Sequence, residues 1–221
     1  MLEVHEFRFK LSGVALLQGA IAAGTIAELK TRAEAAFAAR DARAAADPLE
    51  TGRQRPYLRR FVNLEELAPI DELLPAAVLR LARVYLGHEP SPAPDRYVRE
   101  IRPERVDTHL PYHQDQSILG RRLVNVWCPL SRAGELSPGL ELVRCSQFQL
   151  LQPAPVPGSP YAVEKVRLAE SDVRRRFDPA LFWRPVVDAG DVLVFSGTTI
   201  HRTYGLPGMT QSRFSFEARL V

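Results

Sequence analysis

With 221 residues, 46% of them apolar, and a net charge of +3, the chain is long enough to bury a core without covalent staples. Its basic residues are spread along the sequence without interleaved aromatics, which excludes a nucleic-acid groove. Two cysteines, Cys128 and Cys145, are too few for a disulfide framework, and no apolar run is long enough to span a bilayer. The charged start, Met1 to Glu6, lacks a signal-peptide core, so a cytoplasmic protein is expected, with no membrane partner.

In chain order, the first part reads as two short strands followed by helices, with Val14 to Leu17 as one strand. Thr25 and Glu28 form a T-x-x-E capping box, and Ile26, Leu29, Ala33, Ala36 and Phe37 follow at helical spacing until Asp47-Pro48. A second helix is expected from Pro75 to just before Gly87, with Val78, Leu79, Ala82, Tyr85 and Leu86 as its apolar stripe. After Pro94, short apolar or alternating runs are separated by Gly, Pro and Asp, at 96–101, 123–129, 140–143, 186–187, 192–195 and 214–220. That pattern predicts a sandwich or barrel, with Asp188 to Asp191 as a tight turn. Residues 152–160, holding four prolines, are a loop, and 164–182 look partly helical. The stretch 146–182 interrupts the strand series and reads as a cover beside the barrel mouth. Arg174-Arg175-Arg176 reads as a solvated helix face. Neither a repeat nor a linker divides the chain, so one domain over 1–221 is expected: 1–90 largely helical support and 95–221 a β-rich core.

Chemistry concentrates in Tyr112-His113-Gln114-Asp115-Gln116. In extended backbone, residues two apart point to the same side, so His113 and Asp115 can reach one metal ion. His201, beside the strand at 192–195, could complete a set of two imidazoles and one carboxylate. Such a set leaves coordination positions open and suits Fe(II) binding a co-substrate and O₂ together. Twelve residues after His201 lies Arg213, at the head of an alternating run. Phe214, Phe216, Ala218 and Leu220 share one face, and Arg213, Ser215, Glu217 and Arg219 the other. The apolar row suits a covering layer, and the polar row could line a barrel, with the planar fork of Arg213 matching a carboxylate. By the same parity, Asn125 pairs with Trp127 and His201 with Thr203.

The segments YHQDQS at 112–117, VNVWCPL at 124–130, GELSPGLELV at 134–143, AGDVLVFSGTTIHRT at 189–203 and SRFSFEARLV at 212–221 together resemble the phytanoyl-CoA dioxygenase-like Fe(II)/2-oxoglutarate oxygenases. The resemblance extends from about Gly13 to the C-terminus. It implies a mainly β fold with flanking helices around a double-stranded β-helix, a jelly-roll or cupin-like core. It implies Fe(II) on His113, Asp115 and His201, and 2-oxoglutarate with its far carboxylate on Arg213 and Thr203, beside Trp127. Hydroxylation of a C–H bond in a small-molecule substrate by O₂, with release of succinate and CO₂, is the implied reaction. Asp115 favours hydroxylation over halogenation, because a site without the carboxylate would leave room for halide. The chain has Arg144-Cys145-Ser146-Gln147 where the family often has a Pro-Gly-Ser-His turn, a departure that bears on the substrate pocket. Two other classes fit parts of the pattern: a cupin-like metal protein with isomerase-type activity, and a degenerate binding module. The first would have no reason to need Arg213. Substrate identity and oligomeric state are not encoded in these motifs.

Overall fold

The computed structural model describes residues 2–46, 61–64, 67, 73–94, 96–154 and 162–221. Nine strands are described: β1 (Val14–Leu17), β2 (Phe61–Asn63), β3 (Tyr97–Ile101), β4 (Val124–Pro129), β5 (Gly139–Val143), β6 (Phe182–Trp183), β7 (Val192–Ser196), β8 (His201–Tyr204) and β9 (Arg213–Leu220). They form a six-stranded sheet in the order β1-β7-β4-β9-β3-β2 and a three-stranded sheet in the order β6-β5-β8, every ladder antiparallel. The expected β-rich fold with flanking helices is what the chain adopts.

Strand parity decides which side chains meet. Val124, Val126, Cys128, Val192, Val194, Phe216, Ala218 and Leu220 project from one face of the large sheet. Helices α1 (Leu2–Ser12), α2 (Ala23–Ala46) and α3 (Ala76–Leu86) cover that face. α2 contributes Ile26, Leu29, Ala33 and Phe37 at helical spacing, and Phe37 meets Phe214 of β9 at 5.7 Å between ring centres. From α3 come Val78, Leu81 and Ala82, all fully buried. That helix stops at Gly87, whose φ of 85° lets its N–H turn back to the Arg83 carbonyl. The opposite face of the large sheet presents Val14, Trp127, Leu193 and Phe195 toward Leu140 and Leu142 of the small sheet. Both faces of β4 and β7 are therefore buried, which is why their sequences show almost no polar alternation.

Several elements differ from expectation. Residues 2–12 form a helix rather than a second early strand, with Phe9 buried against Tyr85 while Val4, Phe7 and Leu11 are exposed. α2 begins at Ala23, so Thr25 lies inside the first turn rather than at its cap. His201 heads its own strand, β8, rather than trailing β7, and Val187 makes only an isolated bridge to Ala133. The expected turn is present: the Asp191 N–H bonds the Asp188 carbonyl, and Gly190 has a φ of 87°. A Cβ at Gly190 would also come within 2.7 Å of the Ile21 carbonyl oxygen, so only glycine fits. Of the proline-rich loop, 155–160 lie outside the described residues, as do 47–60 of the helical half. No described helix is long and apolar enough to cross a membrane.

The segment joining β5 to β6 packs on the outer face of the small sheet. Leu151, Leu168, Val173 and Phe177 bury there against Tyr112, Val143 and Ile200. The described parts of 146–182 thus back the 112–114 segment, and Arg167, Leu168 and Glu170 line a pocket together with Leu110, Arg202 and Thr203. Helices α5 (Ala162–Lys165) and α6 (Glu170–Arg176) belong to this layer. Arg174, read as part of a solvated face, instead turns inward to Glu141, a fully buried carboxylate of β5. Glu141 also receives Arg202 at 3.0 Å, Arg184 and the Tyr112 hydroxyl. Burial opposes ionisation of Glu141, but these donors hold it below the usual carboxylate range. Glu141→Ala would take the shared buried carboxylate from three guanidiniums, of which Arg174 and Arg202 keep Glu170. Their partial exposure places the expected loss near about 3 kcal/mol, the low end for breaking a buried pair. Urea unfolding of the variant measures it, and a loss within the noise of a surface substitution would contradict the role given to Glu141.

Candidate metal and co-substrate site

A two-way backbone bridge brings the two histidines together. The His113 N–H bonds the His201 carbonyl at 3.0 Å, and the His201 N–H bonds the His113 carbonyl at 3.1 Å. Directly opposed residues of an antiparallel pair send their side chains to the same face. The imidazoles accordingly lie 4.2 Å apart between ring centres, facing into the space between the sheets. Gln114 is extended, with φ −127° and ψ 120°, so Asp115 comes back to the side of His113. Asp115 then starts α4 (Asp115–Leu119). The Gln114 side chain fastens the turn: its amide donates to the Gln149 and Thr198 carbonyls, and its oxygen accepts the Leu151 N–H.

His113, Asp115 and His201 are all buried, and one ligand atom from each lies within 4.8 Å of the others. His113 Nε2 is 3.5 Å from Asp115 Oδ1, and His201 Nε2 is 3.9 Å from Asp115 Oδ2. The outer nitrogens fix the tautomers. His113 Nδ1 lies 2.7 Å from the Pro111 carbonyl and His201 Nδ1 lies 3.0 Å from the Thr199 carbonyl. Carbonyls only accept, so both Nδ1 atoms carry a proton, and Nε2 is the nitrogen each ring turns toward the carboxylate. Burial, with His113 alongside, pulls the His201 pKa down to about 4, so this imidazole is neutral near pH 7. For Asp115, burial resists ionisation, yet Arg219 and the two imidazoles hold it well below the usual range. Arg219 Nη2 reaches Asp115 Oδ2 at 3.4 Å, while buried Oδ1 meets no protein donor. Two imidazole nitrogens and a carboxylate oxygen converging on one point are a donor set that fits a divalent metal. Two nitrogens and a carboxylate oxygen with further positions open suit Fe(II).

Deeper in the same pocket are Asn125, Trp127, Thr203, Arg213 and Glu217. The β4–β9 register sets Asn125 opposite Arg219 and Trp127 opposite Glu217, which points this polar row inward as parity predicted. Asp115 Oδ1, Asn125 Nδ2, Trp127 Nε1, Arg213 Nε and Arg219 Nε are buried, have no hydrogen-bond partner among the described residues, and all belong to residues lining this pocket. Buried polar atoms are rarely left unpaired, so such a concentration marks the binding place of a polar ligand. Arg213 is fully buried, donates to the Gly139 carbonyl at 3.0 Å and lies over the Trp127 ring at 5.4 Å. Burial lowers its pKa to about 10 against the pull of Glu217, so it stays charged at neutral pH. Thr203 Oγ1 accepts the Leu110 N–H at 3.1 Å, which leaves its own hydroxyl proton to donate.

All six residues singled out in the sequence line this pocket. Arg219 and Asn125 were visible only as members of inward-facing rows, and their contact with the metal-ligand set is set by side-chain reach. His109, four residues before His113, stays outside the cluster, packing against Gly205 with Nε2 3.3 Å from the Arg102 carbonyl.

A family model described as phytanoyl-CoA dioxygenase (PhyH) matches residues 9–206. No curated protein matches the sequence. Among solved structures, AviO1 from Streptomyces viridochromogenes is 24% identical, with a TM-score of 0.66 over 100% of this chain and 95% of that one. EvdO2 from Micromonospora carbonacea var. aurantiaca, complexed with 2-oxoglutarate, is 17% identical with a TM-score of 0.68, covering 98% of this chain and 89% of that one. The epimerase SnoN, in complex with Fe3+, alpha-ketoglutarate and nogalamycin RO, is 17% identical with a TM-score of 0.64, covering 100% and 83%.

Proposed function

The chain belongs to the phytanoyl-CoA dioxygenase family, and on that footing we propose that it is a cytoplasmic Fe(II)- and 2-oxoglutarate-dependent oxygenase. It hydroxylates a C–H bond of a small-molecule substrate. One observation carries the reading: three converging metal-ligand atoms share a pocket with a buried arginine whose neighbouring carboxylate, Glu217, stops 3.9 Å short of it. His113, Asp115 and His201 hold the iron. Arg213 and the Thr203 hydroxyl hold the far carboxylate of 2-oxoglutarate, and Trp127 walls the co-substrate in. When bound, the iron supplies O₂ activation coupled to oxidation of 2-oxoglutarate to succinate and CO₂. The protein's part is orientation and exclusion of water. The Pro111 and Thr199 carbonyls hold the Nδ1–H groups and so aim each Nε2 at the metal position, Arg219 fixes the Asp115 carboxylate, and Phe195 packs edge-on against His201 at 4.7 Å. No side chain need act as a general acid or base.

A cupin-like isomerase or a degenerate binding module gives no use to a desolvated Arg213, whose burial is costly without an anion. Because SnoN is named an epimerase, the outcome is best tested by product mass. With Fe(II), 2-oxoglutarate and ¹⁸O₂, each turnover should add one labelled oxygen to substrate. No chlorinated product should form in high chloride, since Asp115 occupies the position a halide would need. A product of unchanged mass with inverted stereochemistry, or a chlorinated one, would count against hydroxylation.

A further inference from the structure

Arg213 has a carboxylate within easy reach and does not close on it. Glu217 lies four residues along β9 on the same face, with Oε1 3.9 Å from Arg213 Nη2. Both side chains are buried or nearly so, the setting in which an arginine fork and a carboxylate attract most strongly. Arg99 of β3 prevents closure. Its Nε reaches Glu217 Oε1 at 3.1 Å and Oε2 at 3.2 Å. The Ser215 hydroxyl donates to Oε1 at 3.0 Å from the adjacent inward position. The Tyr97 hydroxyl in turn accepts from Arg99 Nη2 at 2.9 Å. The β3–β9 register makes this possible, because Arg99 faces Ser215 and Tyr97 faces Glu217, so Arg99 and Glu217 are diagonal neighbours on one face.

We infer that Arg99 and Glu217 are positioning residues for co-substrate binding: Arg99 holds Glu217 away from Arg213, keeping that guanidinium available for the far carboxylate of 2-oxoglutarate. The inference rests on the co-substrate reading above and adds a competitor to it. Without Arg99, Glu217 swings the short remaining distance, and 2-oxoglutarate must then displace an internal carboxylate. Glu217 also offsets the desolvated charges of Arg99 and Arg213, which explains an acid in a pocket meant for an anion.

The test is calorimetric titration of 2-oxoglutarate into Mn(II)-loaded protein without O₂, for the native chain, Arg99→Met, Arg99→Lys, Glu217→Gln and the Arg99→Met/Glu217→Gln double variant. Arg99→Met should weaken binding by about tenfold to a hundredfold, the worth of one charge-assisted hydrogen bond gained by the competitor. Arg99→Lys should lie close to native, and Glu217→Gln should bind at least as tightly as native. The double variant should recover to within about threefold of native, which shows that the site of Arg99→Met is intact. Metal content should be equal throughout. Unchanged affinity in Arg99→Met, no recovery in the double variant, or weaker binding in Glu217→Gln would each overturn the inference. No binding by the native protein would overturn the co-substrate reading itself, and this inference with it.

Discussion

His113→Ala should lower Fe(II) affinity and turnover by about a hundredfold or more, since changes one shell further out already cost roughly 10–100-fold. The fold should persist. The bridge between 113 and 201 is made by backbone groups, which alanine retains, and Asp115 is held in place by Arg219 and by the Gln114 staple. The variant loses the Nδ1–H bond to Pro111, worth about 1 kcal/mol, but is spared the burial of a polar ring. For a domain of this size that balance leaves the metal-free melting temperature within about 4 °C of native. Metal analysis beside thermal unfolding separates the cases. Lost metal with a preserved metal-free fold marks a ligand, whereas metal binding that survives the change would remove His113 from the site.

Arg213→Ala should weaken 2-oxoglutarate by roughly a hundredfold or more, since removing one partner of a desolvated charge pair costs about 3–5 kcal/mol and each 1.4 kcal/mol is tenfold. Arg213→Lys should recover only part, because a point charge cannot reproduce the fork. Thr203→Ala should cost about 1 kcal/mol, one neutral hydrogen bond. Iron binding should survive all three changes, as neither residue is among the metal-ligand atoms. Titration of 2-oxoglutarate with metal content measured in parallel decides it. Native affinity in Arg213→Ala would place the anchor elsewhere.

Much of this architecture is legible in the sequence because a strand's period of two is unambiguous where one row is polar. The alternation from Arg213 to Leu220 assigns Phe214, Phe216, Ala218 and Leu220 to the helical layer and Arg213 to the pocket, as the structure shows. H-x-D is readable because two residues of extended chain are enough to align the side chains. What stays hidden depends on contacts between distant segments. Arg219 reaches Asp115 across 104 positions, and Glu141 draws its arginines from 174, 184 and 202. Within GLELV, Glu141 looks like any outward strand residue, and only the covering segment makes it buried. β8 is four residues long and half polar, too short to show a period. The first helix buries Phe9 but leaves Val4, Phe7 and Leu11 exposed, so no apolar stripe announces it.

The most direct measurement of the central claim is succinate formation from 2-oxoglutarate by the purified protein with Fe(II) and O₂, followed in native, His113→Ala and Arg213→Ala chains. The account predicts Fe(II)-dependent succinate from the native chain, none above background from His113→Ala, and activity restored to Arg213→Ala only at much higher 2-oxoglutarate. Succinate formed equally well by all three, or by none of them under any metal and co-substrate loading, would contradict it.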